Sequence, residues 1–153
     1  MAAYVAVVGP GEASADELES AYAIGCGLAS RGAVVVCGGL GGVMAAACRG
    51  ASEAGGMTVG LLPGSERGDA NAWVRVAIPT GLGELRNGLV VRAADALVAV
   101  GGAYGTLSEV ALGLKTGVPV VGLGTWELDG IERASGPAEA VERALALADG
   151  GRS

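Results

Sequence analysis

The 153-residue chain carries a formal charge of −6, from 16 acidic and 10 basic residues, and has no histidine. Its basic residues are scattered singly and offer no clustered face for DNA or RNA, while the missing imidazole removes His-based triads, histidine metal sites and imidazole acid–base chemistry. The length predicts a single domain over 1–153 that buries about 70% of the surface its unfolded chain exposes, with a core of Ala, Val and Leu because only two Trp, three Tyr and no Phe are present.

In chain order, Ala3–Val8 is a short apolar run of the kind that forms a buried parallel strand. Gly9, Pro10 and Gly11 turn the chain, either lining a ligand cleft or making a tight turn and nothing more. Ser14 and Glu17 have the spacing of a capping box at the start of a helix running to about Ser30, with Leu18, Ala21, Tyr22, Gly25 and Leu28 inward. Ala33–Cys37 is the second strand. Gly38, Gly39 and Gly42 then lead into a helix through about Ala54, closed by Gly55 and Gly56. Thr58–Leu61 is the third strand, and the polar, turn-rich stretch from Pro63 to Ala72 reads as a surface loop that either closes over a ligand or is merely solvated.

Val74–Ile78 is a short strand with Arg75 off one face, and Thr80 is the N-cap of a helix over Gly81–Ala93, apolar at Leu82, Leu85, Leu89, Val90 and Ala93. Arg86 and Asn87 lie beside that stripe. Leu97–Val100 is a strand, Thr106 opens a helix with Leu107, Val110, Ala111 and Leu114 at helical spacing, and Pro119–Leu123 is the next strand. Thr125–Gly136 is irregular, Pro137–Ala148 is a final amphipathic helix, and the tail after Asp149 frays.

Two segments repeat. Val34–Leu61 and Ala96–Leu123 both read strand, GGxxG turn, helix, strand, with Gly38, Gly39 and Gly42 opposite Gly101, Gly102 and Gly105. Strands joined by helices predict an α/β, Rossmann-like doubly wound fold, with a mainly parallel sheet of six to seven strands and helices on both faces. In such a sheet both glycine turns lie on the carboxyl edge, where helix N-termini favour an anion, most often a phosphate. With Lys115 the only lysine, main-chain amides must do most of the holding.

Two side chains are candidates for chemistry. Glu109 stands three residues after Thr106, so its carboxylate either caps the helix through a T-x-x-E box or projects into the cleft as a general acid/base. Arg86 either grips phosphate through its guanidinium, or pairs with Glu109, or is a surface arginine. Cys26, Cys37 and Cys48 lack CxxC spacing and histidine partners, so no metal site is expected and they read as small core hydrophobes. An odd number of thiols with no evident leader fits a cytoplasmic protein, and no stretch reads as a membrane span.

The residues CGGLGGVMAAACRGASEAGGMTVGLLPG, the pair Arg86–Asn87 and VGGAYGTLSE together resemble the LONELY GUY (LOG) and molybdenum cofactor carrier superfamily, many of whose members carry a "lysine decarboxylase" label. The resemblance runs from Tyr4 to about Leu123. It implies that Arg86 and Glu109 match the pair that acts on the N-glycosidic bond of a nucleoside monophosphate, and that Gly101, Gly102, Gly105 and Thr106 match the phosphate turn. Gly9, Gly38, Gly39, Gly42 and Tyr104 complete the expected ligand contacts. Val100 stands where the LOG motif has proline, Gly83 where it has methionine and Asn87 where it has lysine, and two residues, Ala103 and Tyr104, separate the glycines. These departures bring the chain closer to the carrier branch. The resemblance therefore implies a carrier or sensor for a phosphorylated nucleotide-like or pterin-like ligand such as molybdenum cofactor or AMP. The alternative is a nucleoside 5′-monophosphate phosphoribohydrolase. It also implies a homodimer or higher homo-oligomer, whereas decarboxylation finds no support because Lys115 suits the end of its helix.

Overall fold

The computed structural model describes residues 1–150, in the order β1 (Tyr4–Val8), α1 (Ala15–Ser30), β2 (Val34–Cys37), α2 (Val43–Glu53), β3 (Thr58–Leu62), β4 (Val76–Pro79), α3 (Arg86–Ala93), β5 (Ala96–Val100), α4 (Tyr104–Thr116), β6 (Val120–Leu123), β7 (Ile131–Arg133) and α5 (Pro137–Gly150). The strands form one sheet in the order β4-β3-β2-β1-β5-β6-β7, with every neighbouring pair parallel. The two repeats are β2-α2-β3 and β5-α4-β6, on either side of β1. The α/β, Rossmann-like expectation holds.

Alternation along the strands separates two cores. Val5, Val7, Val35 and Val98 point to one face, where Ile24, Leu28, Ala47 and Ala144 from α1, α2 and α5 cover them. Ala6, Val8, Val36, Leu97 and Ala99 point to the other, under Val90 of α3 and Val110 of α4. The first face is closely packed because α1 and α2 cross at glycines. A Cβ on Gly25 would run into the Ala47 carbonyl, and one on Gly50 into the Tyr22 carbonyl.

Several boundaries differ from the sequence reading. β4 runs Val76–Pro79 rather than Val74–Ile78, so Arg75 precedes the strand and Pro79 ends it; Pro79 is on an edge strand, where a missing N–H is tolerated. The helix expected from Gly81 begins at Arg86, after a short 3-10 turn over Gly83–Leu85. Gly81 and Gly83 have φ of +67° and +60°, which a right-handed helix cannot contain, and Thr80 accepts from the Leu82 amide at the turn instead of capping the helix. The irregular segment after β6 holds β7, three residues at the opposite edge of the sheet. Leu18 and Tyr22, expected inward, stand at the surface, and Ile24 takes the inward position. The final helix continues to Gly150; the last three residues of the expected frayed tail lie outside the described residues. No helix among the described residues is long and apolar enough to cross a membrane.

Candidate functional site

The chain winds outward from β1 through β2, β3 and β4, then returns to the other side of β1 as β5, β6 and β7. At such a reversal the connections leave the carboxyl edge in opposite directions and a crevice opens between them. Here that crevice is a cleft of about 230 Å³ whose walls include Gly9, Gly11, Gly38, Arg86, Thr106 and Glu109.

Each wall has a local cause. α1 starts at a complete capping box, Ser14 Oγ accepting from the Glu17 amide at 3.2 Å and Glu17 Oε1 from the Ser14 amide at 2.9 Å. The same Glu17 lies against Gly101, whose φ of +69° and close neighbours Glu17 and Pro10 leave no room for a side chain. α4 is different. Its N-cap is Ala103, which makes no side-chain cap, so the first turn offers its amides uncapped. The expected box between Thr106 and Glu109 is therefore not formed. Thr106 lies in the first turn instead of at the cap, and its Oγ1 is buried without a hydrogen-bond partner. An unmatched buried hydroxyl beside an uncapped helix start is a costly arrangement that a bound acceptor would relieve.

Arg86 crosses the cleft from α3. Its Nη2 donates to the Gly38 carbonyl at 3.3 Å, its Nη1 donates to Asn87 Oδ1, and its Nε is buried with no partner. Asn87 Nδ2 in turn donates to Ser108 Oγ at 3.3 Å, and Ser108 donates to the Gly105 carbonyl at 2.7 Å, which ties α3 to the first turn of α4. The guanidinium is thereby held in place by two of its nitrogens, and the third, Nε, is the one left without a partner.

Glu109 sits one turn further along α4, 7% exposed. Burial pushes its carboxyl up to about 7, and the Arg86 charge, acting in the opposite sense, only partly offsets this. Near pH 7 Glu109 is thus about half protonated beside a fixed cation, and below it the neutral form prevails. A protonated carboxyl does not repel an anion entering the cleft, and it has the acidity a general acid requires.

The structure brings together Gly9, Gly38, Arg86, Gly105, Thr106 and Glu109 of the expected set. The others serve nearby roles. Gly39 (φ +79°) gives its N–H to Cys37 Sγ at 3.3 Å and its carbonyl to the Asn71 amide at 2.8 Å. Gly42 packs under the Pro10 and Gly11 carbonyls, Gly102 lies beneath Trp126, and Tyr104 stands outside the cleft, 83% exposed. Sequence reasoning did not single out Met44, which lines the cleft floor, or Trp126. The Trp126 indole N–H donates to the Ala103 carbonyl at 3.0 Å, and its ring stacks 6.0 Å from that of Tyr104, so it clamps the turn at the start of α4. One of only two tryptophans placed in a polar loop was the available signal. No group of His, Cys, Asp and Glu among the described residues has the arrangement of a metal site.

A sequence model of the SLOG cluster4 family matches residues 2–147. The chain belongs to the SLOG cluster4 family. This SLOG cluster4 chain is 41% identical over 119 residues to an uncharacterised protein of Archaeoglobus fulgidus, a match covering 78% of each. Among solved structures it resembles the molybdenum cofactor binding protein of Rippkaea orientalis, at 36% identity and a TM-score of 0.91, over 96% of this chain and 98% of that one. The molybdenum cofactor carrier protein of Chlamydomonas reinhardtii is similar at 34% identity and a TM-score of 0.89, with the same coverage. DNA processing protein A of Streptococcus pneumoniae shares the fold alone, at 17% identity, a TM-score of 0.76 and coverage of 94% of this chain and 62% of that one.

Proposed function

We propose that this SLOG cluster4 protein is a carrier or sensor that holds the phosphate of a pterin-like or nucleotide-like ligand at the first turn of α4, with the molybdenum cofactor as the favoured cargo. The observation carrying this reading is the pair of buried, unpartnered donors, Thr106 Oγ1 and Arg86 Nε, on the walls of one small cleft beside an uncapped helix start. The chain is acidic overall, so a local trap of this kind is needed for an anion to dwell. Likeness to two molybdenum cofactor proteins along nearly the whole chain supports the choice of cargo. Gly9, Gly38 and Gly105 let the ligand approach the main chain, Thr106 and Arg86 donate to its phosphate, and Glu109 stays protonated while the anion is bound. Gly39, Gly42, Gly101, Gly102 and Tyr104 shape the rim.

Native mass spectrometry of freshly purified protein tests this directly. A retained species of pterin-phosphate mass, lost in Thr106→Val, is the expected result; protein that carries no small molecule and binds no phosphate ester overturns it.

A second reading is favoured by one observation, the carboxyl of Glu109 at about 7 in the same cleft as Arg86. In a phosphoribohydrolase that acid would protonate the departing base while Arg86 held the phosphate. Incubation with AMP separates the two. Free adenine produced by the parent and abolished in Glu109→Gln establishes hydrolysis, and binding without turnover leaves the carrier.

We further propose that two copies associate through α3 and its surroundings. Val76 and Ile78 of β4, and Leu82, Leu85 and Leu89 in the segment that follows, all stand exposed, more large apolar side chains than any other stretch of this length among the described residues displays.

A further inference from the structure

Four of the five aromatic residues sit on two surfaces near the ligand edge, and only one pair, Tyr104 and Trp126, belongs to the α4 turn already described. The other pair lies in a groove of about 710 Å³ between the N-terminal halves of α1 and α2, whose walls include Leu18, Tyr22, Ala46, Arg49 and Trp73 together with the carboxylates Glu12 and Glu19. The Arg49 guanidinium carbon is 5.7 Å from the centroid of the Tyr22 ring and 5.8 Å from that of Trp73, so one cation lies within reach of both rings. Glu53 fixes this frame, accepting from Tyr22 Oη at 2.7 Å and meeting Arg49 Nε at 3.4 Å. Among the described residues the two Nη groups of Arg49 have no acceptor.

Gly11 stands between this groove and the cleft, lining both. Its φ is not in the left-handed region, and a Cβ built on it would meet nothing within 4 Å, so neither strain nor packing inside the protein calls for glycine there. An open saddle without a side chain is what a ligand crossing from cleft to groove requires. Such a crossing is also needed on grounds of size, because 230 Å³ is below the roughly 300 Å³ at which pockets for drug-sized ligands begin.

We propose that the α1–α2 groove receives the ring end of the ligand whose phosphate sits at Thr106, and that this ring is a bicyclic heterocycle with adjacent carbonyl-oxygen and ring-nitrogen acceptors, as in guanine or a pterin. The inference rests on the phosphate reading above. Tyr22 and Trp73 supply ring faces for stacking, and the free Nη fork of Arg49 matches the paired acceptors in the way arginine reads guanine. Adenine places an amino donor where the oxygen would be, and meets the fork with like polarity.

The experiment uses GMP, AMP and ribose 5-phosphate, with calorimetry on the parental protein for affinity and tryptophan emission read as the difference between the parent and Trp73→Phe, which isolates the Trp73 signal from that of the one other tryptophan. GMP is expected to quench Trp73 and to bind about tenfold more tightly than ribose 5-phosphate and AMP. Arg49→Met is expected to remove the preference for GMP over AMP while leaving ribose 5-phosphate binding unchanged. Gly11→Val is expected to melt at the parental temperature and to lose the Trp73 response. GMP binding no more tightly than ribose 5-phosphate, or binding without changing Trp73 emission, overturns the groove assignment and leaves the phosphate cleft standing. Failure of ribose 5-phosphate to bind in a manner sensitive to Thr106→Val overturns both.

Discussion

Thr106 keeps a hydroxyl inside the protein with nothing to bond to, and valine fills almost the same volume without it. Two opposite effects follow from the one substitution. Thr106→Val is expected to raise the stability of the free protein by about 1 kcal/mol, by removing an unsatisfied polar atom, and to weaken phosphate-ester binding by about tenfold. Melting curves and calorimetry on the same preparation check both signs; a variant that loses stability and keeps affinity would place the hydroxyl in the fold and not at the ligand. Glu109 has a pH signature. Its native carboxyl titrates near 7 and its unfolded carboxyl near 4.5, so between those values the native state holds a proton that the unfolded chain has released. Stability is then highest below the lower value, falls as pH rises to about 7 and is flat beyond. Glu109→Gln lacks this loss, and its stability relative to the parent is expected to climb across that window to at most about 3 kcal/mol, measured by urea unfolding from pH 4 to 8. A difference that does not vary with pH would remove the buried proton from the account.

At the scale of elements, the α1–α2 crossing depends on atoms that are absent. Gly50→Ala sets a gain of about 1 kcal/mol in helix propensity against a Cβ aimed at the Tyr22 carbonyl, a backbone atom that cannot swing aside. A net loss of about 2 kcal/mol or more is expected in denaturant unfolding. Which elements were legible in the sequence follows the same physics. Strands with no charge, such as Val34–Cys37 and Ala96–Val100, announce themselves by apolar runs, and Ser14–Glu17 announces a helix start by spacing alone. β7 does not, because Ile131, Glu132 and Arg133 form an edge strand with two charged residues out of three. Thr80 and Thr106 both resembled helix starts and neither is one. In the first case the left-handed glycines that follow forbid it; in the second the helix begins two residues earlier, at Tyr104. Of the candidate site, the residues legible in the sequence were those whose chemistry is local, Arg86, Thr106 and Glu109. Met44, Asn87 as a tether and Trp126 as a clamp depend on contacts between distant segments.

For the whole molecule, the two faces of the sheet are unequally covered. α1, α2 and α5 pack on one face, while the short α3 and α4 share the other, and Leu85 at the start of α3 is 78% exposed. Sedimentation is expected to give a species of at least two chains, and Leu85→Glu to give a monomer with an unchanged melting temperature at low protein concentration. A parent chain that sediments as a monomer at micromolar concentration would leave the α3 face without a partner. The duplication gives the molecule its geometry. Two β-α-β repeats set either side of β1 bring their glycine turns to one rim, so that Gly38 from one repeat and Gly105 from the other line the same cleft.

Cys37 at the end of β2 and Cys48 on α2 have their sulfurs 3.4 Å apart, both buried, while Cys26 is partly open on α1. The hydrogen bond between the pair, together with burial, holds the Cys37 thiol well above its ordinary range. A thiol reagent therefore meets two different clocks in one chain. Cys26 reacts from the folded state, whereas alkylation of the other two waits for α2 to lift from β2. The delay measures how often the floor beneath the Gly38–Gly39 turn opens, and a bound ligand would lengthen it.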